Sequence, residues 1–432
     1  MPSPNGRGHR DHSIFDLHQN KTTAWPNGKG GGLQSNITFG APWFDGLGTL
    51  NNTKYIMAYA LARHRGTNYT NSVEFIQHSL DTMGPDKLQA VEIGNEVDIF
   101  AAQNWRNDSY TAQNYAKEAK SNMDLFASNI TNLPEGRMFQ IFDRSSENDR
   151  ARWKINKFLN KTEGIVDYSK VQSIAAHYYQ GYAGDDLQDM LLNHKNTVKK
   201  TNDYFLPFVK AAKDQNWDFI IDEVGSALGS SDAGKDYHLS ASLGSAIWTV
   251  DWMLHAMSIN VTRINMQMGR SFPFAAWQPV TIKGTRAHVL GGWYGHVLVA
   301  DFIGSDTTCA LQVKELGSDN KHVTAYAGYS NGTLAKVVLL NQQLWLQTLN
   351  TTRPCETVNL ALPGLSGQNV TVKKLTGPSG GALRNITYAG LDWPLRTKGI
   401  EVLVKNDTET MQVEDESLSL DIEATQALLL SW

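Results

Sequence analysis

Cysteine is almost missing from this chain of 432 residues: there are two, Cys309 and Cys355, both in the last third. So small a number excludes a disulfide-dense scaffold and a four-thiolate zinc site, and no Cys-x-x-Cys redox spacing occurs. What it allows is one bridge closing a loop of about 47 residues, worth about 3–4 kcal/mol in an oxidising compartment, or two buried thiols. Excess positive charge is missing too, with 39 Lys+Arg against 43 Asp+Glu, a net charge of −4 and an isoelectric point near 6.3. Without a basic run, neither phosphate backbones nor anionic lipid find an electrostatic footprint, so nucleic acid and membrane are excluded as partners. No apolar stretch approaches the roughly 20 residues that cross a bilayer. His9, His12 and His18 lack the helical two-histidine spacing of a metal site, and neither metal nor cofactor is expected. Disorder is excluded by 41% apolar and 19% charged residues, and the length suits a barrel-sized domain with a smaller companion.

Residues 1–12 are polar and lack the apolar segment of a secretory leader, yet the chain is rich in Asn-x-Ser/Thr acceptors. Thirteen occur, at Asn20, Asn36, Asn51, Asn68, Asn107, Asn129, Asn160, Asn260, Asn331, Asn350, Asn369, Asn385 and Asn406. Thirty-two asparagines would give roughly five by chance. The surplus predicts passage through a glycosylating secretory route and a secreted glycoprotein.

Short apolar runs alternate with amphipathic stretches up to about residue 300. Strands are predicted over 36–40, 90–94, 138–142, 173–178, 219–222 and 262–267, with helices over 72–83, 110–128, 202–215 and 242–258. That alternation predicts βα units around a parallel sheet. Past Phe302 the texture becomes brief alternating strands between Gly, Pro, Asn and Ser, at 322–329, 334–341, 357–362, 370–375 and 400–404, which predicts an antiparallel sandwich. The expected domains are 1–302 and 303–432. The Gly28–Gly32 cluster precedes no helix start and reads as a surface loop, not a phosphate cradle.

Two strand ends finish in acid: Ala90-Val91-Glu92-Ile93-Gly94-Asn95-Glu96 and Phe219-Ile220-Ile221-Asp222-Glu223-Val224-Gly225. In parallel α/β folds the C-terminal strand ends face the ligand crevice, so two carboxylates far apart in sequence meet across one mouth. Either glutamate alone is as well explained as a helix cap or salt-bridge partner. Both together, with a third strand ending in His177-Tyr178-Tyr179, point to paired-carboxylate chemistry.

These residues resemble the retaining glycosidase clan built on the (β/α)8 barrel, and most closely glycoside hydrolase family 79, which contains β-glucuronidases and heparanases. The likeness runs along nearly the whole chain, through Gly40-Ala41-Pro42-Trp43-Phe44, Trp277-Gln278-Pro279, Tyr294-Gly295, Ala325-Tyr326-Ala327-Gly328-Tyr329 and Leu375-Thr376-Gly377-Pro378. It implies a (β/α)8 (TIM) barrel followed by an all-β antiparallel sandwich, and a monomeric enzyme, without cofactor, that acts on a glucuronic-acid-containing glycan. By position Glu96 is the acid/base and Glu223 the nucleophile. The donor has to keep its proton until delivery, which burial beside a second, charged carboxylate favours. Asn95 is placed by the resemblance at the sugar 2-hydroxyl, Tyr178 beside the nucleophile and His177 in the pocket. The backbone of Gly229 and Ser230 is placed at the uronate carboxylate, and Phe274, Trp277 and Gln278 against the sugar.

The pattern departs from the family in two places. Leu228, in the loop 225–230, and Phe272-Pro273-Phe274 stand where aromatic or tyrosine hydroxyl groups are usual, which predicts an apolar lining able to accept 4-O-methyl glucuronate. Glu96 follows the second predicted strand and Glu223 the fifth, where the clan has the fourth and seventh. The expectation is therefore a barrel lacking its first two βα units and poorly stable alone. Two other functions stay open: a catalytically silent glycan-binding or scaffold protein, and an endo-acting heparanase-like hydrolase, which would want a basic cleft.

Overall fold

The structure, a computed structural model, describes residues 13–24, 37–47, 49, 52–62, 69–145, 153–229, 237–269, 272–281, 286–305 and 311–432. By contact the chain divides into two compact units. The first is Met1–Tyr178, Phe205–Glu223 and Thr262–Asn265; the second is Tyr179–Tyr204, Val224–Val261 and Met266–Trp432. Each is described by itself.

Three short strands open the chain, β1 (Ser13–Phe15), β2 (Thr23–Ala24) and β3 (Ile37–Phe39), joined in a small sheet of order β1-β3-β2. The main sheet follows, with neighbours in chain order: β4 (Tyr55–Ala58), β5 (Leu88–Glu92), β6 (Phe139–Arg144), β7 (Val171–Tyr182), β8 (Asp218–Leu228) and β9 (Arg263–Met266). The pairs β4–β5, β5–β6 and β6–β7 are parallel. Helices α1 (Thr70–Met83), α2 (Ala112–Asn129) and α3 (Ile155–Thr162) make the crossovers between these four strands. Between β7 and β8 lie α4 (Leu187–Met190) and α5 (His194–Gln215), and between β8 and β9 lie α6 (Tyr237–Ala241) and α7 (Leu243–Ser258).

The strand predicted at 36–40 forms, but as β3 of the small sheet; the first strand of the parallel sheet is the unpredicted β4. Its four residues, Tyr-Ile-Met-Ala, are too short to show a period. Glu96 thus follows the second strand of this sheet and Glu223 lies on the fifth. Helix α2 starts where a capping box dictates: the Asn114 N–H donates to the Thr111 hydroxyl and the Thr111 N–H to the Asn114 side chain. Its apolar face buries Tyr115, Ala119, Met123 and Phe126.

The second unit is built around antiparallel strands. β10 (Trp277–Gln278) and β11 (His288–Val289) form a small pair, followed by α8 (Gly291–Ile303). Then come β12 (Leu311–Leu316), β13 (Val323–Ser330), β14 (Thr333–Asn341), β15 (Cys355–Ala361), β16 (Asn369–Thr376), β17 (Thr387–Tyr388), β18 (Leu391–Asp392), β19 (Val402–Leu403), β20 (Thr408–Gln412), β21 (Ser417–Glu423) and β22 (Gln426–Ser431). The large sheet runs β12-β13-β14-β22-β16-β17-β18-β19, with β20 on β16, while β15 pairs with β21.

The apolar runs Val337-Val338-Leu339-Leu340 and Ala427-Leu428-Leu429-Leu430 do not alternate because both faces of the sheet are covered. Val337, Leu339, Leu428 and Leu430 pack in a core with Leu418, Leu420 and Ile422 of β21. Val338, Leu340, Ala427 and Leu429 pack with Leu243, Ile247 and Val250 of α7 and Leu298 and Phe302 of α8. These two helices, from the segment expected as barrel, thus share a core with the β-strands. Helix α8 was not predicted because Gly291-Gly292 and Gly295 read as breakers. The reason is tertiary: a Cβ at Gly295 would lie 2.6 Å from the Ala246 carbonyl of α7. No described helix is long and apolar enough to cross a membrane.

Candidate active site

Within the first unit, the C-terminal ends of β5 to β8 hold an unusual density of buried acid. Glu92, Asn95, Glu96, Asp98, Asp143 and Asp222 are all buried, and Glu223 leaves 14% of its side chain exposed. Glu92, Gln140 and Ser173 are direct cross-strand partners on β5, β6 and β7. Their side chains form a hydrogen-bonded belt: Ser173 Oγ donates to Gln140 Oε1 (2.9 Å), and Gln140 Nε2 donates to Glu92 Oε2 (3.2 Å) and Asp222 Oδ2 (2.9 Å).

Two positions further along the same face of β7, His177 is fully buried among four carboxylates. Its Nε2 stands 3.1 Å from Asp143 Oδ2 and 3.5 Å from Asp222 Oδ1. Its Nδ1 stands 3.2 Å from Glu96 Oε1 and 3.8 Å from Glu223 Oε1. The two glutamate oxygens are therefore at most about 7 Å apart, the limit set by these two distances. Burial works against a charge on His177, but Asp143 and Glu223, with hydrogen bonds to Asp143 and Glu96, outweigh it and hold the imidazole well above its ordinary pKa. Burial likewise pushes the Asp143 carboxyl up, against the pull of His177.

Asp143, His177 and Asp222 are the only group among the described residues with ligand atoms close enough to hold a metal ion.

The predicted site residues fall in both units. Asn95, Glu96, His177 and Glu223 come together in the first. Tyr178 does not join them in the way expected: alternation along β7 sends its ring to the other face, where it packs on Phe205 of α5 at 5.5 Å. Tyr179, not Tyr178, is in step with His177. Within the second unit, Tyr179 packs edge-on to Phe274 at 5.5 Å, and Gly225 is glycine because a Cβ there would lie 2.6 Å from the Tyr179 ring. Phe274 and Gln278 are buried, Trp277 is 47% exposed on β10, and Gly229 takes a left-handed φ of 82°. Ser230 and Cys309 lie outside the described residues, as do Gly28–Gly32; Cys355 is an exposed free thiol, and the expected bridge is not among the described contacts.

Sequence reasoning missed Glu92, Gln140, Asp143 and Asp222. The rule that selected Glu96 would have selected Asp143, which directly follows the predicted strand 138–142. Gln140 has no such signal, since a glutamine inside an apolar strand declares itself only through its neighbours.

The parallel sheet, the β-rich C-terminal region and the paired carboxylates at the strand ends define a glycosidase of TIM-like fold. Residues 325–429 match the glycosyl hydrolase family 79 C-terminal beta domain. The chain is 25% identical over 423 residues to a beta-glucuronidase of Neurospora crassa, covering 88% of this chain and 74% of that protein. It is 25% identical over 425 residues to a beta-glucuronidase of Aspergillus niger, covering 91% and 76%. The crystal structure of a 4-O-alpha-L-rhamnosyl-beta-D-glucuronidase from Fusarium oxysporum 12S superposes with a TM-score of 0.80 at 18% identity, over 99% of this chain and 87% of that one. Residues 325–429 thus carry the family 79 C-terminal beta domain, and most of the chain is similar to beta-glucuronidases.

Proposed function

We propose that this chain is a retaining glycoside hydrolase that removes β-linked glucuronic acid, or its 4-O-substituted form, from glycans. The observation that carries this reading is the convergence of Glu96 and Glu223 on one imidazole nitrogen. Their separation ceiling includes the ~5–5.5 Å of retaining enzymes and reaches only the bottom of the ~6.5–9.5 Å inverting range. In the first step Glu96 gives its proton to the glycosidic oxygen as the bond to C1 breaks, and a Glu223 oxygen bonds to C1. In the second, Glu96 takes a proton from water, the hydroxyl bonds to C1 and Glu223 leaves as carboxylate. His177 supplies a positive charge facing both carboxylates. Asn95, buried beside Glu96, is assigned to the sugar 2-hydroxyl.

The catalytic part is assigned to 1–302, as a (β/α)8-type barrel, and the β domain to 303–432. A 4-O-substituted sugar is supported by the Fusarium relative, a 4-O-alpha-L-rhamnosyl-beta-D-glucuronidase. Passage through a secretory route is supported by exposure: Asn20, Asn107, Asn129, Asn160, Asn260, Asn331, Asn350, Asn369, Asn385 and Asn406, the acceptors among the described residues, are all at the surface.

A 2-deoxy-2-fluoro-glucuronosyl fluoride tests the assignment. Expected is time-dependent inactivation with the label on the peptide holding Glu223. A chain that binds glucuronides but neither turns them over nor takes the label is a glycan-binding relative, not an enzyme. Turnover of phenyl 4-O-methyl-glucuronide against the unmethylated sugar tests the 4-O assignment, which a clear preference for the unmethylated sugar overturns.

A further inference from the structure

The acid/base reading leaves unexplained how Glu96 is held. Its backbone is left-handed, with φ 50° and ψ 47°, a conformation that costs a non-glycine residue of order 1 kcal/mol or more. Such strain persists only where surrounding contacts enforce it. Here one carboxylate oxygen does so twice. Asp143 Oδ2 accepts the Glu96 backbone N–H at 3.0 Å, and the same atom lies 3.1 Å from His177 Nε2, whose Nδ1 faces the Glu96 carboxylate at 3.2 Å.

The inward aim of Asp143 is itself built. In a regular strand, Phe142 would share the face of Gln140 and Asp143 would turn away. The β6–β7 register shows why it does not: Ile141 pairs with Ile174 but Arg144 with Ala176, so β6 carries one extra residue, a bulge. Phe142 sits in it with φ 58°, an outlier for a bulky side chain. Its ring is turned into an aromatic cluster with Phe158 (4.3 Å), Trp153 and Phe208 (both 6.1 Å). The bulge is pinned by Tyr115 of α2, whose hydroxyl oxygen accepts the Phe142 N–H at 2.8 Å while its O–H donates to the Ile93 carbonyl, also 2.8 Å, three residues before Glu96. Two strained residues on neighbouring strand ends are thus tied by one tyrosine and one aspartate.

We propose that Asp143, aimed by the Phe142 bulge and the Tyr115 hydroxyl, is the positioning residue that holds Glu96 for proton transfer. The inference rests on the assignment of Glu96 as acid/base. Asp143 touches no reacting atom; it acts through the Glu96 backbone and through His177. Its loss therefore falls mainly on steps in which Glu96 must move a proton, since His177 is nearer to Glu96 (3.2 Å) than to Glu223 (3.8 Å).

The test compares Asp143→Asn with the wild-type full chain on two substrates, phenyl β-glucuronide, whose leaving group needs a proton, and 2,4-dinitrophenyl β-glucuronide, whose leaving group does not. Active sites are counted by fluoro-sugar labelling of Glu223, so misfolded protein does not enter the rates. Expected is a fall in kcat/KM of about tenfold or more on the phenyl substrate, part of the ~10²–10⁴ a general acid contributes, with less than about threefold change on the dinitrophenyl one. Tyr115→Phe, which keeps the ring and removes only the hydroxyl's two hydrogen bonds, to the Phe142 bulge and the Ile93 carbonyl, is expected to show the same asymmetry at smaller size, and it decides the matter if Asp143→Asn does not fold. An equal fall on both substrates, or none on either, overturns the positioning role. If wild type cleaves neither substrate and Glu223 takes no label, it is the enzymatic reading that fails.

Discussion

The molecule buries histidine among carboxylates in two regions, and they are built on opposite terms. In the second unit, His194 gives Nδ1 to Asp251 at 2.9 Å and Nε2 to Glu315 at 3.0 Å, and His255 pairs with Glu315 and Asn202, both at 3.0 Å. Asp251 also accepts from the Tyr326 hydroxyl (2.8 Å) and from Gln342 Nε2 (3.0 Å). Two histidines face two acids, every one of these side chains is paired, and α5, α7, β12, β13 and β14 are joined. In the first unit, one histidine faces four carboxylates, and two of the residues beside it, Glu96 and Phe142, have left-handed backbones. A closed network in which every member is paired is a fastening. A site with crowded carboxyl groups and stored strain is what function demands and stability opposes.

That contrast can be broken by substitution. Glu223→Gln should lower turnover of a glucuronide by about 10⁴-fold or more while leaving the melting temperature equal or raised, because it relieves carboxylate crowding. A large drop in melting temperature would show the two regions to be alike. Glu96→Gln should cost about 10²–10⁴ on phenyl β-glucuronide, with azide restoring turnover of the dinitrophenyl substrate. Absence of azide rescue would remove Glu96 from the acid/base role.

On the other side, Glu315→Gln should destabilise by about 2 kcal/mol, below the ~3–5 of a fully buried pair because a third of the Glu315 side chain meets solvent. Denaturant unfolding measures this, and rates per labelled Glu223 should stay within about twofold. pH sharpens the same point. Hydrogen bonds from His194 and His255 hold Glu315 down at about 2, and for His194 the acids outweigh burial and raise it to about 10. The Glu315 contribution is complete above the ordinary carboxylate range and is lost as pH falls through about 2. The His194 contribution is complete below the ordinary histidine range and is lost as pH rises through about 10. Wild type should therefore hold a plateau of stability between the ordinary carboxylate and histidine ranges and lose stability on either side, and Glu315→Gln should lack the acid-side loss, as read by melting temperature against pH. Smallest is Tyr178→Phe: with the ring packed on Phe205, kcat should change by less than about threefold, and a larger loss would return Tyr178 to the nucleophile.

The strand ends bearing Glu96 and Glu223 were legible because a charged residue closing an apolar run is a local signal, and the resemblance to family 79 gave them roles. The face of each tyrosine was not. His177-Tyr178-Tyr179 names two candidates, and only the pleat of β7 decides between them. The inward aim of Asp143 was hidden for a related reason: the regular period puts Phe142 inward, and the bulge that reverses this depends on Tyr115 of another element. Helix α8 was hidden because its glycines serve α7, not the helix that contains them.

The alternation of strands and helices in the first 300 residues, the change of texture near Phe302 and the acidic residues at strand ends follow from the sequence alone, since hydrophobic period and turn chemistry act over a few neighbouring residues. The meeting of Glu96, Asp143 and Glu223 at one imidazole, the two left-handed residues there and the packing of α7 and α8 on the β-strands were decided only by tertiary structure. The physical reason is that burial, charge balance and strain belong to groups brought together from distant segments, and no single segment records them.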